Sequence, residues 1–142
     1  MNVSSRSIIH TMDISTLSTK EVGNLGEKLV ADYLKHEGYR IVAKNVVRKT
    51  GEIDVIAQKG NVLHFVEVKT IVCREFPKEG SAADEYDPSA NLHAHKIQKV
   101  ARTSEWYVMD TDWEGDWQVD GALVWLRARD GASTIEHLPQ IL

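Results

Sequence analysis

Four charged side chains interrupt two stretches that are otherwise typical of buried β-strands. Glu52 and Asp54 lie in GEIDVIAQ, and Glu67 and Lys69 lie in VLHFVEVK. Residues two apart in a strand point to the same face, so each pair emerges side by side. A short Lys-Gly-Asn turn at residues 59–61 folds one strand back along the other, which can bring Asp54 near Glu67.

Two carboxylates that converge beside a lysine are costly to build into a sheet. Like charges at close range raise each other's pKa, and desolvation penalises both ionised groups. A divalent cation removes that cost, and hard oxygen ligands suit Mg²⁺ or Mn²⁺. The pattern predicts Asp54 and Glu67 as metal ligands in phosphodiester hydrolysis, with Lys69 as an electrostatic helper. In an alternative interpretation, each acid pairs with a basic neighbour at a strand end.

A helix is expected before these strands. Ser18 begins STKE, a capping-box pattern with Glu21 three positions on, and this pattern predicts the start of the helix. Apolar residues recur at helical spacing as far as His36, and Gly38 ends the helix. The Ser- and Thr-rich residues 1–17 lack periodicity, so we expect a loose N-terminal arm there.

The remaining chain predicts one helix and further strands. YRIVAKNVV has the β-branched content of a strand, a second amphipathic helix runs from about 92 to 109, and strands follow near 117–126 and 134–138. The polar stretch 73–91 contains two prolines and is expected to be a flexible excursion. The predicted order is α-β-β-β-α-β-β, within a single domain over 18–142.

Composition sets limits on the class of protein. The chain has 142 residues, a net charge of −4, 42% apolar residues and a lone cysteine, Cys73. These values fit one ordinary globular domain, and a lone cysteine forms no internal disulfide. No apolar stretch approaches the roughly 20 residues that a membrane span requires. We therefore expect a cytoplasmic protein without a membrane partner.

The basic residues are clustered despite the acidic total. One cluster includes Arg48 and Lys49, and another consists of Lys96, Lys99 and Arg102 at spacings of three in the second predicted helix. Clustered cations contact the phosphates of nucleic acids, so these residues are the candidate nucleic-acid contacts. A solvated helix face opposite the core is the alternative interpretation of the second cluster.

These motifs, taken together, resemble a known superfamily. Asp54, twelve residues and then Glu67-Val68-Lys69, after a helix that carries an acid, resembles the core of the PD-(D/E)XK restriction-endonuclease-like superfamily. More narrowly, GNLGEKLVADYLKHEGYRIVAKN, GEIDVIA and FVEVKT are similar to the YraN family of small bacterial proteins, over roughly residues 20–125. The resemblance implies an α/β fold with an αβββαβ core, in which a central mixed β-sheet is flanked by helices.

The resemblance also implies an activity and its residues. Members of the superfamily include Holliday-junction resolvases, so a Mg²⁺-dependent endonuclease acting on branched or structured DNA is expected, with DNA favoured over RNA. Asp54 and Glu67 match the metal-binding acids, Lys69 matches the superfamily's lysine, and Glu27 matches the acid on the first helix. Glu27 lies toward the edge of the apolar face of that helix, where it could reach the sheet; in the alternative interpretation it is a first-turn acid that favours the helix dipole. Nucleases that cut both strands often pair, so a homodimer is included among the expected arrangements.

The sequence also departs from the superfamily pattern. Ile53 stands in the position of the proline, and the first arginine after the EVK block is Arg74. A nucleic-acid-binding or protein-interaction module that keeps the nuclease fold without turnover is therefore the alternative function. Two other residues have structural interpretations: Asp120 is expected to support its strand, and Trp106 to lie in the core or at its edge.

Overall fold

The computed structural model describes residues 3–8, 13–77 and 94–142. Their elements in chain order are β1 (Val3–Ile8), a short 3-10 helix (Ile14–Thr16), α1 (Thr19–His36), β2 (Arg40–Arg48), β3 (Gly51–Lys59), β4 (Val62–Cys73), α2 (Ala94–Asp110), β5 (Asp116–Arg127) and β6 (Ala132–Leu138). From α1 to β5 this order is the αβββαβ core that the sequence predicts.

The six strands of the described residues form one mixed sheet with the order β1-β6-β5-β4-β3-β2. Strands β4 and β5 are parallel, and every other neighbouring pair is antiparallel. A parallel pair needs a crossover connection, which here contains α2. Strand β4 lies between β5 and β3 and is therefore central. Its residues 63–67 are all buried, as its apolar pattern on both faces predicts.

The predicted capping box at the start of α1 is confirmed. The hydroxyl of Ser18 accepts a hydrogen bond from the backbone N–H of Glu21 at 3.1 Å, and the Glu21 carboxylate accepts one from the backbone N–H of Ser18 at 3.0 Å. Just beyond the helix, Gly38 has a φ of +94°, a conformation that glycine adopts without strain. Both ends of α1 are therefore encoded locally.

The two helices cover opposite faces of the sheet. Buried Val30 and Leu34 of α1 pack in one apolar cluster with residues such as Val66 of β4. Val100 of α2 packs in a second cluster that contains Phe65 of the same strand. Successive residues of β4 thus supply both cores, and the protein has the α/β architecture expected of a restriction-endonuclease-like core.

Part of the predicted N-terminal arm is a strand of the sheet. Residues 3–8, predicted to belong to a loose arm, form strand β1 and pair antiparallel with β6 from Val3↔His137 to Ile8↔Ala132. An edge strand can be held by backbone hydrogen bonds alone, so it can form without the alternating apolar pattern that predicts a strand from sequence. Most of the predicted excursion over 73–91 lies outside the described residues.

Candidate active site

The site begins where the β3–β4 ladder ends. The last paired residues are Val55 and Val66, and beyond them the backbone N–H of Val68 donates to Oδ2 of Asp54 at 2.9 Å. The Asp54 side chain therefore satisfies an N–H group of β4 where the two strands separate. This bond places the Asp54 carboxylate beside Glu67, as the predicted hairpin requires.

Glu67 is the most buried acid of the site, with 1% of its surface exposed. Its Oε1 lies 2.6 Å from Nζ of Lys96, while its Oε2 has no hydrogen-bond partner among the described residues. Burial and the charge of Asp54 raise the pKa of Glu67 to about 7, although Lys96 opposes the shift. A buried carboxylate oxygen without a partner is unusual in a folded protein.

The pKa of Asp54 is also subject to opposing influences. Burial raises its pKa, while the Val68 N–H and the Lys96 charge act in the opposite direction. The exposed Glu52 adds further negative charge to this region and raises the pKa of Asp54. The two carboxylates therefore lie close together in a setting where ionising both is unfavourable.

Glu27 approaches this group from α1. Burial raises its pKa first, and the charges of Asp54 and Glu52 raise it further, while a hydrogen bond with the Asn45 side chain lowers it. The sequence-based expectation that Glu27 reaches the sheet carboxylates is consistent with these interactions.

Close packing of α1 on β4 brings Glu27 to this position. Its neighbour Gly26 is buried, and a Cβ atom there would lie 1.8 Å from Oγ1 of Thr70. Only a residue without a side chain permits this approach.

Two lysines lie near Glu67 in the chain or in space, and only Lys96 pairs with it. Lys69 is exposed and forms no hydrogen bond or ion pair with the described part of the chain. Lys96, which the sequence assigns to nucleic-acid contacts, instead pairs with Glu67 and bridges α2 to β4. The predicted catalytic use of Lys69 stays a prediction, and Lys96 joins the site.

An open groove of about 630 Å³ leads to Asp54 and to Lys96, the partner of the buried Glu67. Its walls come from the start of β3 and the first turns of α2, and the lining residues are Gly51, Glu52, Asp54, His95, Lys96, Lys99 and Val100. The predicted contacts Lys96 and Lys99 thus face the acids across one groove, whereas Arg102 is exposed and does not line it.

The other two predicted contacts lie on a neighbouring groove. Arg48 pairs with Asp110, with 3.5 Å between Nε and Oδ2, and stacks over the Tyr107 ring. Lys49 is exposed and lines the same groove. Arg48 is thus partly neutralised by an acid, and Lys49 has no ion pair among the described residues.

The donor set is suited to a hard divalent cation with few protein ligands. No three His, Cys, Asp or Glu side chains within the described ranges are grouped so as to hold an ion by themselves. Mg²⁺ commonly takes only one or two carboxylates and completes its shell with water and substrate phosphate. Asp54 and the unpartnered Oε2 of Glu67 fit that requirement.

A second polar cluster, centred on Asp120, is buried at the opposite end of β4. Oδ2 of Asp120 lies 2.7 Å from Nδ1 of His64 and 2.9 Å from Nε2 of His137, and Oδ1 accepts from Gln118 and from the backbone N–H of Gln140. These hydrogen bonds outweigh burial and hold the pKa of Asp120 well below its usual range. The supporting function predicted for Asp120 thus has a physical basis in ties between β4, β5, β6 and the C-terminal segment.

Comparison with known proteins places the chain in a family. The model of the uncharacterised protein family UPF0102 matches residues 26–125, which include every acid of the candidate site. The chain belongs to family UPF0102. This family is the YraN family, so the resemblance found in the sequence is confirmed.

Individual UPF0102 proteins cover most of the chain. A protein of Flavobacterium johnsoniae is 37% identical over 120 residues, which are 83% of this chain and 90% of the relative. One of Campylobacter fetus is 37% identical over 98 residues, covering 69% of this chain and 78% of the relative. In the described part of this UPF0102 chain, no helix is long and apolar enough to cross a membrane.

Proposed function

We propose that this UPF0102 protein is a Mg²⁺-dependent endonuclease that hydrolyses phosphodiester bonds in branched or otherwise structured DNA. The observation that carries the proposal is the buried Oε2 of Glu67, which lacks a partner among the described residues and lies beside Asp54. Mn²⁺ would serve the same ligands. The resemblance of the sequence to a superfamily that includes Holliday-junction resolvases supports the choice of structured DNA as substrate.

The electrostatics of the site support a bound cation. Asp54 and Glu67 both have raised pKa values, because burial disfavours their ionised forms and their charges repel. A divalent cation held by these two carboxylates would favour both ionised forms. When bound, the ion would polarise the scissile phosphate and lower the pKa of a water molecule.

The other charged residues supply the remaining functions. Glu27 can act as the general base toward water, because its raised pKa makes its ionised carboxylate a stronger base than that of an ordinary glutamate. Lys69 is exposed two residues beyond Glu67, where its ammonium can offset negative charge on the phosphate. Lys99 lines the groove and can contact the DNA backbone.

A cleavage assay tests the proposal directly. Purified wild-type protein is incubated with labelled duplex, single-stranded, flap and four-way-junction DNA and with RNA, in Mg²⁺, Mn²⁺ or EDTA. We expect cleavage of structured DNA that requires the metal and that Asp54→Asn and Glu67→Gln abolish. Glu105→Gln is the control, because Glu105 is an exposed acid of α2 that does not line the groove. Full cleavage by either site variant, or cleavage in EDTA, would contradict the proposal.

A second function is favoured by one observation. The Lys96 ammonium already neutralises part of the Glu67 charge at 2.6 Å, which is where a catalytic cation would act. A nucleic-acid-binding module without turnover would keep this internal pair permanently. Titration of the wild type and Glu67→Gln with Mn²⁺ separates the two functions. A module without turnover would show no saturable Mn²⁺ binding that is lost in Glu67→Gln.

A further inference from the structure

Trp106 is an exposed aromatic residue at the edge of a groove. It lies in α2 with 49% of its surface exposed, although the sequence places it in the core or at its edge. The groove has a volume of about 490 Å³, and its lining residues are Arg48, Lys49, Thr50, Trp106 and Asp110. A ligand that covers the exposed part of this indole would gain free energy from burial of the ring.

This groove adjoins the one lined by Asp54, because Thr50 lines the second groove and its neighbour Gly51 lines the first. A hydrogen bond of 2.8 Å between the hydroxyls of Thr50 and Thr103 lies between the two grooves. Lys96, Lys99, Thr103 and Trp106 follow one another at spacings of three, four and three, so they form one row along α2. A helix rises by about 1.5 Å per residue, and Trp106 therefore lies roughly 15 Å along α2 from Lys96.

The charges of the second groove favour a nucleic acid. Asp110 is paired with Arg48, so its negative charge is compensated. Lys49 is exposed, without an ion pair in the described part of the chain, and can contact a phosphate. The groove thus presents one flat apolar ring beside one available cation, the combination that binds an unpaired base together with its phosphate.

We infer that Trp106 stacks on an unpaired base of the DNA strand whose backbone enters the carboxylate groove. The inference rests on the proposed function and specifies its substrate. Because about 15 Å of helix separates Trp106 from Lys96, the stacked base lies several nucleotides along the strand from the groove that Asp54 lines. The preferred substrate therefore has a single-stranded segment near the bond to be cut, as in a flap or splayed arm.

Binding measurements without cleavage test this inference. The affinities of wild-type protein, Trp106→Ala, Trp106→Phe and Met109→Ala are compared in EDTA by fluorescence anisotropy, with labelled single strand, flap and blunt duplex. Met109 is the matched control, since it is 67% exposed on the same helix but does not line the groove. Removing a stacking ring should weaken binding to single strand and flap by about 5- to 150-fold.

The variants distinguish the possible outcomes. We expect Trp106→Phe to keep most of the affinity, Met109→Ala to match the wild type, and blunt duplex to be affected least. If Trp106→Ala also binds single strand and flap like the wild type, the stacking inference is wrong while the proposed function stands. If the wild type binds none of the DNAs in EDTA, the stacking inference is overturned, while the proposed function is decided separately by the metal-dependent cleavage assay.

One further outcome concerns a second copy of the chain. Light scattering of the same variants after size-exclusion chromatography measures their oligomeric state. A Trp106→Ala protein that changes from dimer to monomer with unaltered DNA affinity would assign the groove to a protein contact and overturn the inference.

Discussion

The ammonium of Lys96 lies 2.6 Å from Oε1 of Glu67, and this pair joins α2 to the central strand. The two partners differ in environment, because 61% of the Lys96 side chain is exposed but only 2% of the Glu67 side chain. An exposed lysine can leave its partner at little cost, whereas the buried carboxylate then needs another cation. Lys96 and a divalent cation are thus expected to compete for Glu67.

The first prediction concerns metal affinity. Lys96→Met should strengthen Mn²⁺ binding by about fivefold, because the ammonium at Oε1 of Glu67 no longer repels an ion at Oε2 and no longer neutralises the carboxylate; a partly exposed ion pair contributes roughly 1 kcal/mol. Isothermal titration calorimetry at pH 8.5 measures the affinity. Lys99→Met is the control, since Lys99 lines the groove without an ion pair among the described residues. Equal or weaker Mn²⁺ binding by Lys96→Met than by Lys99→Met would contradict the competition.

The second prediction concerns the pH dependence of stability without metal. The pKa of Glu67 is raised from 4.5 to about 7 on folding. Its contribution to stability is therefore complete below pH 4.5 and is lost as pH rises through 7. Glu67→Gln removes the titration while keeping the shape, so in EDTA at pH 8 it should raise the free energy of unfolding by about 2 to 3 kcal/mol.

Urea denaturation at pH 4.5 and pH 8 measures this effect. The stabilisation by Glu67→Gln should be far smaller at pH 4.5, where the wild-type carboxyl is largely protonated in the folded state. Glu105→Gln, an exposed substitution, should leave stability within about 0.5 kcal/mol at both pH values. A Glu67→Gln protein less stable than the wild type at pH 8 would show that burial of the charge is compensated in another way.

Short-range sequence patterns predicted the start of α1, the central strand β4 and the proximity of Asp54 to Glu67. The capping box fixed the start of α1, and the apolar pattern of VLHFVEVK identified β4 as a central strand. The turn at 59–61 then sufficed to bring Asp54 beside Glu67, because a two-stranded hairpin has a register that follows from its turn.

The pair between Lys96 and Glu67 and the cluster around Asp120 were not predicted. Lys96 reaches Glu67 only because α2 packs across β4, and helical periodicity alone left it on a solvated or nucleic-acid-binding face. The cluster around Asp120 joins residues that are 56 and 17 positions apart in the chain. The available signal was that His64 and Asp120 interrupt apolar strands, which indicates buried polar groups that need partners.

The third prediction concerns this buried cluster. Asp120→Ala should lower the free energy of unfolding by about 3 kcal/mol at pH 7, because it leaves His64, His137 and the Gln140 N–H without their acceptor. The folded-state pKa of Asp120 is lowered, so its stabilisation is present above about pH 4 and lost as pH falls further. Urea denaturation from pH 3 to 7 should show a constant gap in stability between variant and wild type down to about pH 4 and a narrower gap at pH 3.

Asp116 provides a control for this experiment. It is an exposed acid at the start of the same strand, so Asp116→Ala should change stability by less than about 0.5 kcal/mol throughout the pH range. If Asp120→Ala and Asp116→Ala behave alike at pH 7, the cluster does not stabilise the fold.

The last prediction concerns the approach of α1 to β4. A Cβ atom at Gly26 would lie 1.8 Å from Oγ1 of Thr70, so Gly26→Ala must push the helix away from the strand and should lower the free energy of unfolding by about 1 to 3 kcal/mol. Gly23 lies in the same helix with nothing within 4 Å of its added Cβ, and Gly23→Ala should be neutral or stabilising by up to about 1 kcal/mol. Thermal unfolding compares the two variants. Thr70→Gly should cost less stability in the Gly26→Ala protein than in the wild type, because it removes the clashing atoms, and equal costs in the two backgrounds would locate the strain elsewhere.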